Sequence, residues 1–319
     1  MKNEKRIEVL RMRSSMDERE RYFWDLTGYL VVRDVLTKDE VQEANEAIDD
    51  YSKQLLREGM DNSDRGKRKV FGGKVVRTDN AYPEFLRIPE PLSTPFRKML
   101  VHPAIVTRLR EMCGKGFRLD HGPELIAHTR GVEGLRLHGS GNRHKPYVAY
   151  HHQGGDSFCG GVTVSWQFAI AGQGDGGFAY VSGSHKSKFH MPDDLKYFRD
   201  HKFAVRQAEV RAGDVLFFMD GAQTHGTFPW KAAHQRRSVL YKYTSRASSR
   251  SGIAENLAPP ETYWDETVTE GMTDAQKAVM WGPYSNFHEE LPYLDVQENG
   301  AVESVECTDP RDIWSDNRG

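Results

Sequence analysis

Apolar positions fall in two textures along this chain. Up to about residue 112 they recur with a helical period; from 117 to 243 they come in short runs between glycine-rich turns. In the first part, Thr37 and Glu40 fit a capping box, and Val41, Ala44, Ile48, Tyr51 and Leu55 then line one helical face. The pattern predicts a helix that stops near Gly59. A second helical stretch, 95–112, is interrupted near Pro103 and turns Phe96, Met99, Leu100, Ile105, Val106, Leu109 and Met112 inward. A short β run, Tyr29–Val32, precedes both.

In the second part, β-like runs recur at 125–128, 162–170, 177–181, 215–219 and 238–243. Short strands at that spacing predict an antiparallel sandwich or barrel of the jelly-roll kind. Residues 184–211 read as an excursion between strands, with a short helix at 192–200. Beyond 244 the texture loosens, with a turn at Pro259-Pro260, a short helix at 274–280 and a polar, peripheral end. The organisation expected is one domain over 1–319: a helical flank and basic loop (1–115), a β core (116–245) and a C-terminal extension (246–319). The fold class is mainly β with flanking helices.

Charge changes this picture little. Lys and Arg number 44 against 46 Asp and Glu, which gives no general argument for a nucleic acid or membrane partner. Cys113, Cys159 and Cys307 match no metal-binding spacing and predict free thiols in a reducing, cytoplasmic setting. The N-terminal 21 residues are charged throughout and lack an apolar signal core, and no apolar run is long enough to span a membrane.

Candidate chemistry gathers in two stretches, YHHQGGDSFCGGVTVSW (150–166) and DVLFFMDGAQTHGTFPWKAAHQRRSVLYKY (214–243). Each sets histidine beside a β run, which suggests a metal site in a β scaffold. Imidazole alone suits Fe, Zn, Cu and Ni. His225 ends a β run next to a glycine. His151 and His152 are adjacent, so in an extended segment they face opposite ways. A facial Fe(II) site needs two histidines and a carboxylate, usually as His-x-Asp or His-x-Glu. Here Gln153 follows His151 by two and Gly154 follows His152 by two; Asp156 is the nearest carboxylate, at the wrong offset. Arg236, eleven residues after His225, opens a β run and suits a bidentate grip on a carboxylate, with Thr227 able to add a hydroxyl bond. Arg237 faces the other way and reads as a solvated partner. GDGG (174–177) lacks the GK[ST] ending of a phosphate loop and reads as a tight turn.

Assembled, these motifs resemble the phytanoyl-CoA dioxygenase family of Fe(II)/2-oxoglutarate oxygenases. GYLVVRDVLTKDEV, VSWQF with GDGGFAYVSGSHKSKF, RAGDVLFFMDGAQTHGT and the placing of Arg236 carry the resemblance, over roughly 25–245. It implies a double-stranded β-helix (jelly-roll) core that holds Fe(II) through His225 and His152, with His151 the alternative to His152. It implies that Arg236 and Thr227 grip 2-oxoglutarate and that Trp166 lines the cosubstrate side. With His152 as ligand, Gly154 stands where the family has its carboxylate. A missing carboxylate opens a coordination position to chloride, as in halogenating relatives that carry His-x-Gly or His-x-Ala. The alternatives are a hydroxylase with a carboxylate from elsewhere, Asp156, and a site of other metal or no catalysis. O₂ and a small-molecule substrate are the partners implied. Basic residues at 65–77 and in RLHGSGNRHKPY, notably Arg136, His138 and Arg143, with Tyr150 and His151 nearby, suggest an anionic one: a nucleotide, a CoA thioester or a free acid.

Overall fold

The protein is described by a computed structural model over residues 15–57, 86, 88, 90–139, 148–154, 156–248, 258–264, 266–283 and 292–306. The basic loop at 65–77, Arg143 and Cys307 lie outside the described residues. Helix α1 (Glu18–Thr27) starts where the Asp17 carboxylate accepts the Glu20 N–H at 2.8 Å. It ends at Gly28, whose φ of 78° suits a residue without a side chain. Strand β1 (Tyr29–Val32) leads into α2 (Lys38–Arg57). The expected capping box is formed: Thr37 N–H donates to Glu40 at 2.8 Å, and Glu40 N–H to the Thr37 hydroxyl at 3.2 Å. The helical stretch at 95–112 is two helices, α3 (Thr94–Leu100) and α4 (Pro103–Cys113). Pro103 begins the second because its missing N–H has no partner to lose there.

The core follows as β2 (Arg118–His128), β3 (Tyr150–Gln153), β4 (Asp156–Cys159), β5 (Gly161–Gln167), β6 (Gly177–Val181), α5 (Asp193–Lys196), β7 (Val205–Gln207), β8 (Val215–Met219), β9 (His225–Phe228) and β10 (Arg236–Thr244). Short helices α6 (Pro260–Tyr263), α7 (Glu266–Thr269) and α8 (Asp274–Ala278) and the hairpin β11 (Tyr293–Val296) and β12 (Val302–Val305) complete it. Leu294 and Val296 of that hairpin enter the main core, and Val302, within the end expected to be peripheral, packs against it. Among the described residues no helix is long and apolar enough to cross a membrane.

Two antiparallel sheets form the jelly roll. One has the order β1–β8–β5–β10–β2; the other is β7–β6–β9. Strands β3 and β4 pair only with each other. The alternation of residues along the large sheet positions the site. Val239, Tyr241 and Tyr243 stand opposite Trp166, Val164 and Val162, which stand opposite Val215, Phe217 and Met219. This outer face packs under the helices: the Tyr241 and Tyr243 hydroxyls donate to the carbonyls of Phe96 and Leu100 at 2.7 and 2.6 Å. Arg237 shares the outer face and pairs with Asp49 of α2 at 2.5 Å, as its reading as a partner residue anticipates.

The inner face looks toward the small sheet. On β8 it is apolar: Leu216 and Phe218 pack with Phe178 and Tyr180 of β6. On β5, β10 and β2 it turns polar, with Thr163, Ser165, Gln167, Arg236, Ser238, Lys242 and His128.

Candidate active site

Arg236 begins β10 on the inner face and directly faces His128 of β2. It is 5 % exposed, and its Nη1 is buried with no hydrogen-bond partner. No carboxylate pairs with it among the described residues, and burial lowers its pKa to about 10. His128 adds no competing charge, since burial, then the nearby guanidinium, push its pKa down to about 3. A buried guanidinium in that state is costly unless an anion completes it. Gly177, at the start of β6, lets the chain pack closely on Arg236, and a Cβ there would stand 3.3 Å from Nε. Ser238, next along the same face, also has a buried hydroxyl without a partner.

Gly177 pairs with Phe228 of β9, and three residues along that strand, roughly 10 Å by the usual strand rise, His225 and His138 form a pair of histidines. The ribbon 132–138 runs against β9, and His138 and His225 exchange both backbone bonds, at 2.8 and 2.9 Å. Their rings stand 4.2 Å apart. Glycine permits this approach: a Cβ on Gly139 would stand 2.2 Å from the Gln223 carbonyl, and one on Gly226 2.5 Å from that of Leu135. The Nδ1 of His225 bonds to the Gln223 carbonyl at 2.8 Å, and that of His138 to the Arg136 carbonyl at 3.1 Å. A carbonyl only accepts, so both Nδ1 atoms carry the proton. Burial, then His138, lower the His225 pKa to about 3, so it is neutral at pH 7 and its Nε2 keeps a lone pair. Two imidazoles with Nδ1 held by carbonyls are oriented as metal-binding histidines commonly are. Asp220, at the end of β8, places Oδ1 3.8 Å from His225 Nε2, and its Oδ2 lies 3.4 Å from Lys242 Nζ.

Several expectations are corrected. His152 is not the ring that meets His225. It lies exposed on the β3–β4 hairpin, with Nδ1 on the Ser157 hydroxyl at 2.8 Å. Gly154 sits in the turn of that hairpin at φ 65°, where a Cβ would meet nothing within 4 Å among the described residues. Its glycine therefore answers a turn requirement. Asp156 pairs in backbone register with Gln153 on the same hairpin, and His151, exposed, pairs with Phe158. Tyr150 donates its hydroxyl to Asp25 of α1. Trp166 is on the wrong face to line a cosubstrate: it is fully buried under the helices, edge-on to His102 at 5.4 Å. The Thr227 hydroxyl accepts the Leu135 N–H at 2.7 Å and so braces the His138 ribbon. Arg136 is exposed near Tyr197.

The reading from sequence placed His138 with the substrate residues and did not pair it with His225, and it did not single out Ser238, His128, Asp220 and Lys242. One signal was available: His138-Gly139 and His225-Gly226 are the same dipeptide, each marking a close strand approach. Among the described residues, one trio has ligand atoms all within 4.8 Å: Asp194, Asp200 and His201, on the surface near α5 and apart from this constellation.

Comparison with known proteins agrees with the fold. The family profile of phytanoyl-CoA dioxygenase (PhyH) matches residues 24–238, more than half of the chain. A search of curated proteins gives no match. Among solved structures, HygX from Streptomyces hygroscopicus with nickel, 2-oxoglutarate and hygromycin B bound is similar at TM-score 0.57 and 20 % identity, covering 85 % of this chain and 98 % of that one. The same protein with iron bound gives TM-score 0.56 at 18 % identity, covering 85 % and 97 %. EctD from S. alaskensis gives TM-score 0.53 at 14 % identity, covering 72 % and 78 %. With the jelly roll in place and the profile spanning its sheets, the chain belongs to the phytanoyl-CoA dioxygenase family of iron- and 2-oxoglutarate-dependent oxygenases.

Proposed function

We propose that the protein oxidises an aliphatic C–H bond of a small molecule, using Fe(II), 2-oxoglutarate and O₂. The observation that carries this reading is Arg236, a buried guanidinium with an orphaned Nη1, packed on Gly177 roughly 10 Å along the paired strands β6 and β9 from two histidines oriented by carbonyls. That spacing suits a five-carbon dicarboxylate bridging the two. In this reading His138 and His225 hold the metal through Nε2. Arg236 and Ser238 bind the far carboxylate of 2-oxoglutarate, and neutral His128 keeps a competing positive charge away from Arg236. The bound iron and cosubstrate supply the oxidation of the C–H bond. The balance is substrate R–H, 2-oxoglutarate and O₂ to R–OH, succinate and CO₂, with one oxygen atom in each of the alcohol and the succinate.

The mouth supports an acidic substrate. Arg136 is exposed beside His138, and the sequence sets further basic residues, Arg143 among them, immediately after it. HygX is crystallised with hygromycin B, which supports a small organic molecule as the class and names none for this chain.

A second reading, chlorination, draws support from one residue. Ser140 stands two after His138, where a His-x-Asp pair would have its carboxylate. A position without a protein ligand is open to chloride. Both readings require 2-oxoglutarate to be turned over. The test is succinate formation by the iron-loaded protein in air. Wild type should form it, and Arg236→Leu should lose at least a hundredfold in kcat/KM for 2-oxoglutarate. An Arg236→Leu protein that consumes 2-oxoglutarate at the wild-type rate sinks the reading. Product mass separates the two outcomes, by gain of oxygen or replacement of hydrogen by chlorine.

A further inference from the structure

From the geometry around His225 we infer that Asp220 is the third protein ligand of the metal, reached from the strand that precedes the second histidine. The inference rests on the proposed two-histidine site and adds the carboxylate that the sequence around His138 lacks. Asp220 is nine-tenths buried or more, at 3 % exposure, one residue beyond β8. A carboxylate is not taken out of water there without a cation to meet. Lys242 is one such cation, at 3.4 Å from Oδ2. That contact leaves Oδ1 directed at His225, 3.8 Å from the Nε2 lone pair that ring geometry reserves for a metal. Two ligands about 2.1 Å from one ion on adjacent octahedral positions stand about 3 Å apart. Asp220 therefore has under 1 Å to close toward His225.

His138, His225 and Asp220 do not gather within 4.8 Å as a set. Turning the Asp220 carboxylate about its side chain, with Oδ2 still on Lys242, brings Oδ1 toward His225 Nε2. Lys242 then acts as a positioning residue, holding the outer oxygen as partners behind a ligand commonly do. The chain order is what makes the arrangement distinct. Asp220 comes five residues before His225 on the same strand-loop, so one element delivers both ligands and the His138 ribbon delivers one. A three-ligand site leaves no vacancy for chloride, so the oxygenating outcome follows from it.

The test is an anaerobic calorimetric titration of Fe(II) into the full-length protein. His138→Ala and His225→Ala should each weaken binding at least a hundredfold. Asp220→Asn should weaken it thirtyfold or more, and adding Ser140→Asp to that variant should recover most of the loss by restoring a carboxylate two residues after His138. Because Asp220→Asn leaves Lys242 without its charge partner, Asp220→Asn/Lys242→Met guards against a folding defect: it removes the pair together and should bind Fe(II) as weakly. A second readout is the visible band formed with Fe(II) and 2-oxoglutarate. The wild-type band should ignore added chloride, and the Asp220→Ala band should shift with it. Wild-type Fe(II) affinity in both Asp220 variants, with binding lost in the histidine variants, overturns the assignment of Asp220 and leaves the two-histidine site standing. Unchanged affinity in the histidine variants overturns the site itself.

Discussion

The two faces of the large sheet share the same five strands and differ in nearly everything else. The outer face carries Val162, Val164, Trp166, Phe217, Val239, Tyr241 and Tyr243, and its tyrosine hydroxyls are matched to helix carbonyls. Trp166 Nε1 is its one unpartnered polar atom among those residues. The inner face, one residue out of step, leaves Thr163 Oγ1, Ser238 Oγ and Arg236 Nη1 buried without partners. A face that only stabilises pairs its polar groups or omits them. A face kept for a ligand leaves polar atoms unpaired, so that the ligand completes them. Stability and binding should therefore separate cleanly by face.

The largest expected effect is at Arg236. Arg236→Leu should weaken 2-oxoglutarate binding at least a hundredfold by equilibrium titration, yet leave the stability of the ligand-free protein unchanged or raised by about 1–3 kcal/mol, because it removes an unpaired buried charge. A large loss of stability in that variant would break the comparison. Phe217→Ala on the outer face should do the reverse. It should cost about 3–5 kcal/mol in denaturant unfolding while cosubstrate affinity in the folded fraction stays within about twofold.

His128 sharpens the comparison through pH. Its folded pKa, about 3, lies below the ordinary 6.5. The unfolded chain thus binds the extra proton first, and the contribution is complete above pH 6.5 and lost as pH falls toward 3. In that window wild type should lose up to about 1.4 kcal/mol per pH unit relative to His128→Gln. Equal slopes in the two proteins would show that His128 is not held neutral. The smallest effect belongs to Ser238→Ala, which should lower 2-oxoglutarate affinity by roughly tenfold or less and leave the melting temperature alone, since the hydroxyl has no partner to lose.

Much of the outer face was legible in the sequence. The Thr37–Glu40 capping box, the break at Pro103 and the apolar runs 215–219 and 238–243 all follow from local rules, and the structure forms each of them. Strands β3, β7 and β9 were not, because they are short and carry little apolar signal of their own. The expected jelly roll and the inward aim of Arg236 came from alternation and family resemblance together. The sequence pointed to a different histidine from the one the structure sets beside His225, for a physical reason. His151 and His152 lie next to a β run and attract attention, but their hairpin pairs only with itself. His138 sits in an irregular ribbon that becomes a partner of β9 only through two long-range backbone bonds, which no local pattern encodes. Trp166 failed by parity: a shift of one residue along β5 exchanges the cosubstrate face for the helix core.

The most direct test of the account is the visible band formed when Fe(II) and 2-oxoglutarate are added without oxygen to metal-free protein, compared in His138→Ala and His152→Ala. The account predicts no band in His138→Ala and a wild-type band in His152→Ala. A band that survives the loss of His138 and disappears with His152 would contradict it.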